Sequence, residues 1–142
     1  MKIVLVSGIA WAMAQLIKLL LEWVRTKKLN LYAMFASGGM PSSHTSFVVS
    51  MATQVGLVEG FGSTYFALAT CFCLIVMYDA AGVRHAVGLQ ARMINLLVDQ
   101  YNEQREVDVN RVKEILGHTP VQVFAGIILG IVVGYLGHAN FY

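Results

Sequence analysis

Residues 3–21 read "IVLVSGIAWAMAQLIKLLL", and whether that run meets lipid or a protein core decides the fold. A transmembrane helix needs about 20 mostly apolar residues, with about 17–25 as the working range. This run qualifies. Met1-Lys2, the apolar residues and the small side chains that follow resemble a secretory signal, but apolar character continues through Leu21. We therefore expect a retained first span.

The rest of the chain agrees. Its 142 residues are one domain's worth, 57% hydrophobic and 13% charged, where soluble domains carry about 25% charged residues. Mean hydropathy is +0.64. An integral membrane protein is the first expectation, in a plasma or inner membrane. A net charge of +2, without basic residues interleaved with aromatics, argues against a nucleic-acid partner. Cys71 and Cys73 sit in "CFC", about 200° apart on a helix, which suits inert buried thiols better than a disulfide or metal pair. No HExxH or CxxC spacing occurs, so neither a metal nor another cofactor is expected.

Further spans are read at 44–58, 62–79 and 121–137, the first of these being short. The fold class is an all-α polytopic membrane bundle of about four transmembrane helices, forming a single domain over 1–142. Between the third and fourth spans lies a polar segment, about 83–118. There Met93, Ile94, Leu96, Leu97 and Tyr101 give an imperfect amphipathic pattern, expected to lie on the membrane surface. Asp108 is a plausible N-cap for the stretch after it, and Gly117 a stop.

Charge sets an orientation. If four spans alternate, the 22–43 and 80–120 connections share a side that holds Arg25, Lys27, Lys28, Arg84, Arg92, Arg105, Arg111 and Lys113. The opposite side has Lys2, and Lys18 lies within the first span. Cytoplasmic loops collect Lys and Arg, so the long segment is expected in the cytoplasm and both termini outside.

Gln15, Lys18, Glu22 and Arg25 recur at helical spacing and share one face. Lys18 is read either as a snorkelling lysine paired with Glu22 or as part of a site, since ionisable groups within spans tend to mark one. Other polar groups fall at the same bilayer edge. "GGMPSSH" (38–44) opens the second helix, Asp79 and Arg84 close the third, and "LGHTP" (116–120) with His118 opens the fourth. Three cations suit a phosphate, which arginine grips with a bidentate fork. Backbone N–H groups at a helix start add donors. Ser42 and Ser43 are either caps or phosphate donors. His44 and His118 are titratable near neutrality and able to serve as nucleophile or proton donor; as plain structural residues they would be a first-turn and a loop histidine. His85 and His138 lack comparable context.

These motifs resemble the type 2 phosphatidic acid phosphatase and vanadium haloperoxidase superfamily, and the chain as a whole is similar to a small divergent branch of it. That superfamily has a lysine, six residues and Arg-Pro; then Pro-Ser-Gly-His; then an arginine, five residues, His, three residues and Asp. Lys18 and Arg25 match the first spacing, and "PSSH" at 41–44 matches the second with Ser43 in place of glycine. The resemblance implies that His118 attacks phosphorus to form a phosphohistidine. It also implies that His44 protonates the leaving alkoxide while Lys18, Arg25 and Arg84 hold the phosphoryl oxygens, without a metal. Three departures accompany it. Thr26 replaces proline, 33 residues separate Arg84 from His118, and Gln122 stands where the family has an acid. The amide accepts a bond but carries no charge, and such a swap in a protease triad costs about 10⁴ in rate. Asp79 is the candidate to substitute for that acid.

The resulting expectation is a membrane phosphohydrolase acting on a phosphate monoester or diphosphate, carried by a membrane lipid or a phosphorylated small molecule, at the cytoplasmic rim. Its rival is a catalytically weak or inactive protein that binds phospholipid or a phosphorylated ligand at the same residues, and Gln122 favours it. Gly126, Gly130 and Gly134 allow close helix packing, within the bundle or between the copies of a homo-oligomer; the bundle is favoured.

Overall fold

A computed structural model gives the fold and describes residues 1–27, 39–105, 112 and 117–141, without the side chains of Arg84, His85 and residues 103–105. Gly38, Lys28, Asp108, Arg111 and Lys113 lie outside the described residues, as does the Arg105 side chain. The described elements are all helical: α1 (Lys2–Thr26), α2 (Ser43–Glu59), α3 (Thr64–Tyr78), a π-helical turn (Asp79–Val83), α4 (Arg84–Arg105) and α5 (Pro120–Phe141). Among the described residues, three helical runs are long and apolar enough to cross a membrane: Lys2–Thr26, Thr64–Asn102 and Pro120–Phe141. The all-α membrane bundle expected from the sequence is the fold.

Helix α2 is its axis. At 17 residues it reaches about 25 Å, given 1.5 Å per residue, yet α1, α3 and α5 all pack on it. Its buried side chains include Ser43, Thr45, Ser46, Ser50, Thr53 and Gln54. The large apolar side chains point the other way: Leu16, Leu20, Phe72, Ile75, Ile128 and Leu136 are exposed. In water this pattern would be a liability. In lipid, tails are as apolar as leucine, so helices associate through small residues that let backbones approach.

The α2–α5 seam shows how. A Cβ on Gly126 would lie 2.7 Å from the Ser42 carbonyl oxygen, one on Gly130 2.8 Å from that of Ser46, and one on Gly134 2.8 Å from Thr53 Cβ. The glycines are used within the bundle. Both helices climb together along these contacts, so α2 and α5 run parallel. Helix α1 runs against them: Gln54 Nε2 donates to the Ile3 carbonyl at 3.3 Å, and the Lys18 stem lies against Gly39 at the other end. Lys2 Nζ donates to the Phe141 carbonyl at 2.7 Å, tying the start of α1 to the end of α5 at one edge of the bundle. Buried hydroxyls return to their own helix, as Ser46 Oγ does to the Ser42 carbonyl at 2.9 Å and Thr53 Oγ1 to the Val49 carbonyl at 2.8 Å, which satisfies these two donors where water is scarce.

Helix α3 follows a turn at Gly60, which adopts φ +88°, and Ser63 caps it by accepting the Phe66 N–H at 3.1 Å. Where the sequence reading closed the third span, at Asp79, the chain does not stop. It changes to π-helical bonding and continues as α4. Met93, Ile94, Leu96, Leu97 and Tyr101 are exposed along α4, while Ala91 and Asn95 are buried. The Asn95 amide holds Val112 both ways, accepting its N–H at 2.7 Å and donating to its carbonyl at 2.9 Å.

The seam makes a direct prediction. Gly130→Leu forces a side chain against fixed backbone and should destabilise the bundle by about 1–3 kcal/mol, the usual range for overpacking. Gly8→Ala, with nothing within 4 Å of the added carbon, should stay near the parent. Thermal unfolding in detergent compares the two; equal midpoints would refute the packing account.

Candidate functional site

Parallel α2 and α5 begin at the same edge of the bundle, where α1 and α3 end. Two backbone bonds tie these ends together. Ser42 N–H donates to the Gln122 carbonyl at 3.0 Å, and His118 N–H donates to the Ala80 carbonyl at 3.0 Å. The starts of α2 and α5 and the π-turn therefore form one rim. π-Helical turns occur often at functional sites, and this one carries Asp79.

Ser42 is the N-cap of α2. It is fully buried, and its Oγ accepts the Thr45 N–H at 3.4 Å and the Thr45 hydroxyl at 3.0 Å. Ser43 is buried beside it, and His44, one residue on, is exposed. His44 lines a pocket of about 300 Å³ with Ile75, Val76, Asp79, Ala80 and His118. His118 is 5% exposed. The two imidazoles and the Asp79 carboxylate, from three segments far apart in sequence, thus share one cavity. Among the described residues, no group of three His, Cys, Asp or Glu is placed to hold a metal ion.

A second pocket, of about 240 Å³, adjoins the first. It is lined by Lys18, Leu21, Glu22 and Arg25 from α1, by Gly39 and Met40 ahead of α2, and by Gln122 from α5. Lys18 is 6% exposed, so it turns into the bundle rather than out among headgroups. Gly39 makes this possible. It has φ +87°, and a Cβ there would sit 3.0 Å from both Cγ and Cδ of Lys18. Arg25 is more open. The backbone of Arg84 directly follows the π-turn, while its side chain is not among those described.

The sequence-derived residues are therefore brought to one rim in two groups. His44, Asp79 and His118 face one pocket, and Lys18 and Arg25 face its neighbour. Gln122 joins the two. It lines the cationic pocket while its Oε1 lies 3.2 Å from His118 Nδ1. The sequence reading treated Gln122 as a missing acid and overlooked "TPVQ" (119–122). That is a capping-box pattern with proline in the first helical position, and it places the glutamine side chain back at the helix start. Gly39 was not singled out either; only its backbone angle and the lysine beside it reveal its part.

Comparison with known proteins gives two matches. A family model described as "Divergent PAP2 family" matches residues 1–133. The uncharacterized membrane protein YuiD of Bacillus subtilis (strain 168) is 37% identical, over 84% of this chain and 83% of that protein. No solved structure matches.

Proposed function

The chain belongs to the divergent PAP2 family, and from that membership we propose that it is a membrane phosphohydrolase. Its substrate would be a phosphate monoester or diphosphate, most naturally on a lipid, and its intermediate a phosphohistidine. The observation that carries this reading is the pocket lined jointly by His44, Asp79 and His118, with Lys18 and Arg25 in the adjoining one.

In this reading His118 Nε2 attacks phosphorus. The N–P bond forms as the bond from phosphorus to the leaving oxygen breaks, and His44 gives that oxygen its proton. Water then attacks the phosphohistidine, the N–P bond breaks, and His44 takes a proton back from the water. Lys18, Arg25 and Arg84 neutralise the phosphoryl oxygens. Ser43 adds donors, and Ser42 sets the helix end from which the backbone N–H groups of α2 project. Asp79 stabilises positive charge on the imidazoles. Phosphoryl transfer depends mostly on such positioning and charge stabilisation, which a rigid rim of helix ends supplies. A lipid substrate is favoured because headgroup phosphates lie at the depth of this rim.

One observation favours a second reading, in which the same rim binds phospholipid or a phosphorylated ligand with little or no turnover. The partner of His118 Nδ1 is an amide, which offers an acceptor without charge. Purified protein screened for phosphate release over lipid and soluble phosphoesters separates the two. Hydrolysis that vanadate inhibits and that falls at least 100-fold in His118→Ala supports the enzyme. Ligand binding with no release from any ester, in parent and variant alike, supports the binding protein.

The side of the membrane is a further part of the proposal. The excess of Lys and Arg in the two rim-side connections favours a cytoplasmic rim. Single cysteines at Lys28 or Asn102, in a background lacking Cys71 and Cys73, should resist impermeant thiol reagents in intact cells. Labelling from outside would move the site to the other leaflet.

A further inference from the structure

Gln122 Oε1 meets two nitrogens. It accepts the Thr119 backbone N–H at 3.1 Å and lies 3.2 Å from His118 Nδ1. The first contact orients the amide. A backbone N–H only donates, so the amide oxygen must face it; a flipped amide would set donor against donor. The second contact then places a proton. Oε1 has no hydrogen to give, so Nδ1 must donate, and in the neutral ring the lone pair resides on Nε2. An unconstrained histidine side chain favours the opposite tautomer, so this arrangement has to be imposed.

The same amide has a structural duty. Thr119 is the N-cap of α5, Pro120 its first residue and Gln122 its third. The Gln122 N–H lies 3.4 Å from Thr119 Oγ1, while Oε1 returns to the Thr119 N–H. This reciprocal pair is a capping box, a role glutamate fills as well as glutamine. The box occupies one lone pair of Oε1. The other is directed to an imidazole that is itself 5% exposed, and the two donors hold the carbonyl oxygen from both sides.

We infer that Gln122 is the positioning residue of this site: the third residue of the α5 capping box locks His118 as its Nδ1–H tautomer and makes Nε2 the attacking atom. The catalytic meaning of this lock rests on the phosphohydrolase reading above. There the Nε2 lone pair forms the N–P bond, the bond from phosphorus to the leaving oxygen breaks, and Nδ1 keeps its proton on Oε1 throughout. Because the acceptor is uncharged, Gln122 fixes the geometry of the ring without drawing a second proton onto it.

The tautomer can be read without any turnover. The full chain, labelled with ¹⁵N-histidine and held in lipid nanodiscs, is examined at a pH where the ring is neutral, and His118 is assigned by the signals lost in His118→Gln. The parent should show Nδ1 protonated and Nε2 bare of hydrogen. Gln122→Glu keeps both the capping box and the acceptor, and should keep the proton on Nδ1. Gln122→Leu removes the acceptor and should raise the Nε2–H share several-fold. An Nε2–H ring in the parent, or a Gln122→Leu spectrum unchanged from it, would overturn the inference. If Gln122→Leu does not fold, the parent spectrum still decides, since a neutral Nε2–H ring there contradicts the lock. A locked Nδ1–H ring in a chain that hydrolyses nothing would leave this inference standing and sink the phosphohydrolase reading, so the two failures are distinct.

Discussion

The close, parallel approach of α2 and α5 is the contact on which the rest of the molecule depends. Lipid gives helices no hydrophobic reason to associate, so backbone proximity has to come from shape. Gly126, Gly130 and Gly134 on α5 leave room for the Ser42 and Ser46 carbonyls and the Thr53 side chain on α2. The Ser46 and Thr53 hydroxyls at the seam bond back into their own helix, so these donors are satisfied inside a polar interior. Because the two helices are parallel, their N-termini arrive together, and with them His44 and His118. An antiparallel pair would put one histidine on each side of the membrane.

That geometry also explains the division of the site. α1 meets the rim with its C-terminal half, bringing Lys18 and Arg25 to the α5 side, where Gln122 stands. α3 meets it through the π-turn, bringing Asp79 to the α2 side, beside His44. His118 belongs to the pocket of His44 and Asp79 and touches the wall of the cationic pocket through Gln122. The start of α5 is thus the junction of the rim, with a helix cap and an imidazole sharing a single amide oxygen.

Much of this was legible in the sequence. Runs such as 3–21 and 121–137 betray spans because lipid asks only for length and apolarity, and alternation of the spans then carries Lys18, His44, Asp79 and His118 to one edge. The centrality of α2 was not legible. A buried axis in a membrane bundle is rich in serine and threonine, which lowers its hydropathy and makes it read as the weakest span. Continuity through Asp79 was hidden for a related reason: composition changes there while helical bonding does not break. The allotment of cations and imidazoles to adjacent pockets depends on rotation about helix axes, which spacing along one helix cannot relate to its neighbours. Gln122 was visible as a departure from a family pattern, yet its partnership with Thr119 is a matter of local helix chemistry and was open to reading from "TPVQ" alone.

The register of α2 against α5 is tested most directly by the backbone bond that joins their starts, in which Ser42 N lies 3.0 Å from the Gln122 carbonyl oxygen. In protein carrying ¹⁵N-serine and carbonyl-¹³C glutamine, reconstituted in bilayers, solid-state dipolar recoupling reports this contact without sequential background, because no glutamine precedes a serine in the chain. A clear nitrogen–carbon coupling, of the strength expected across one hydrogen bond, is the predicted result. Its absence would mean that the two helices do not begin side by side, and that the histidine pocket does not form as described.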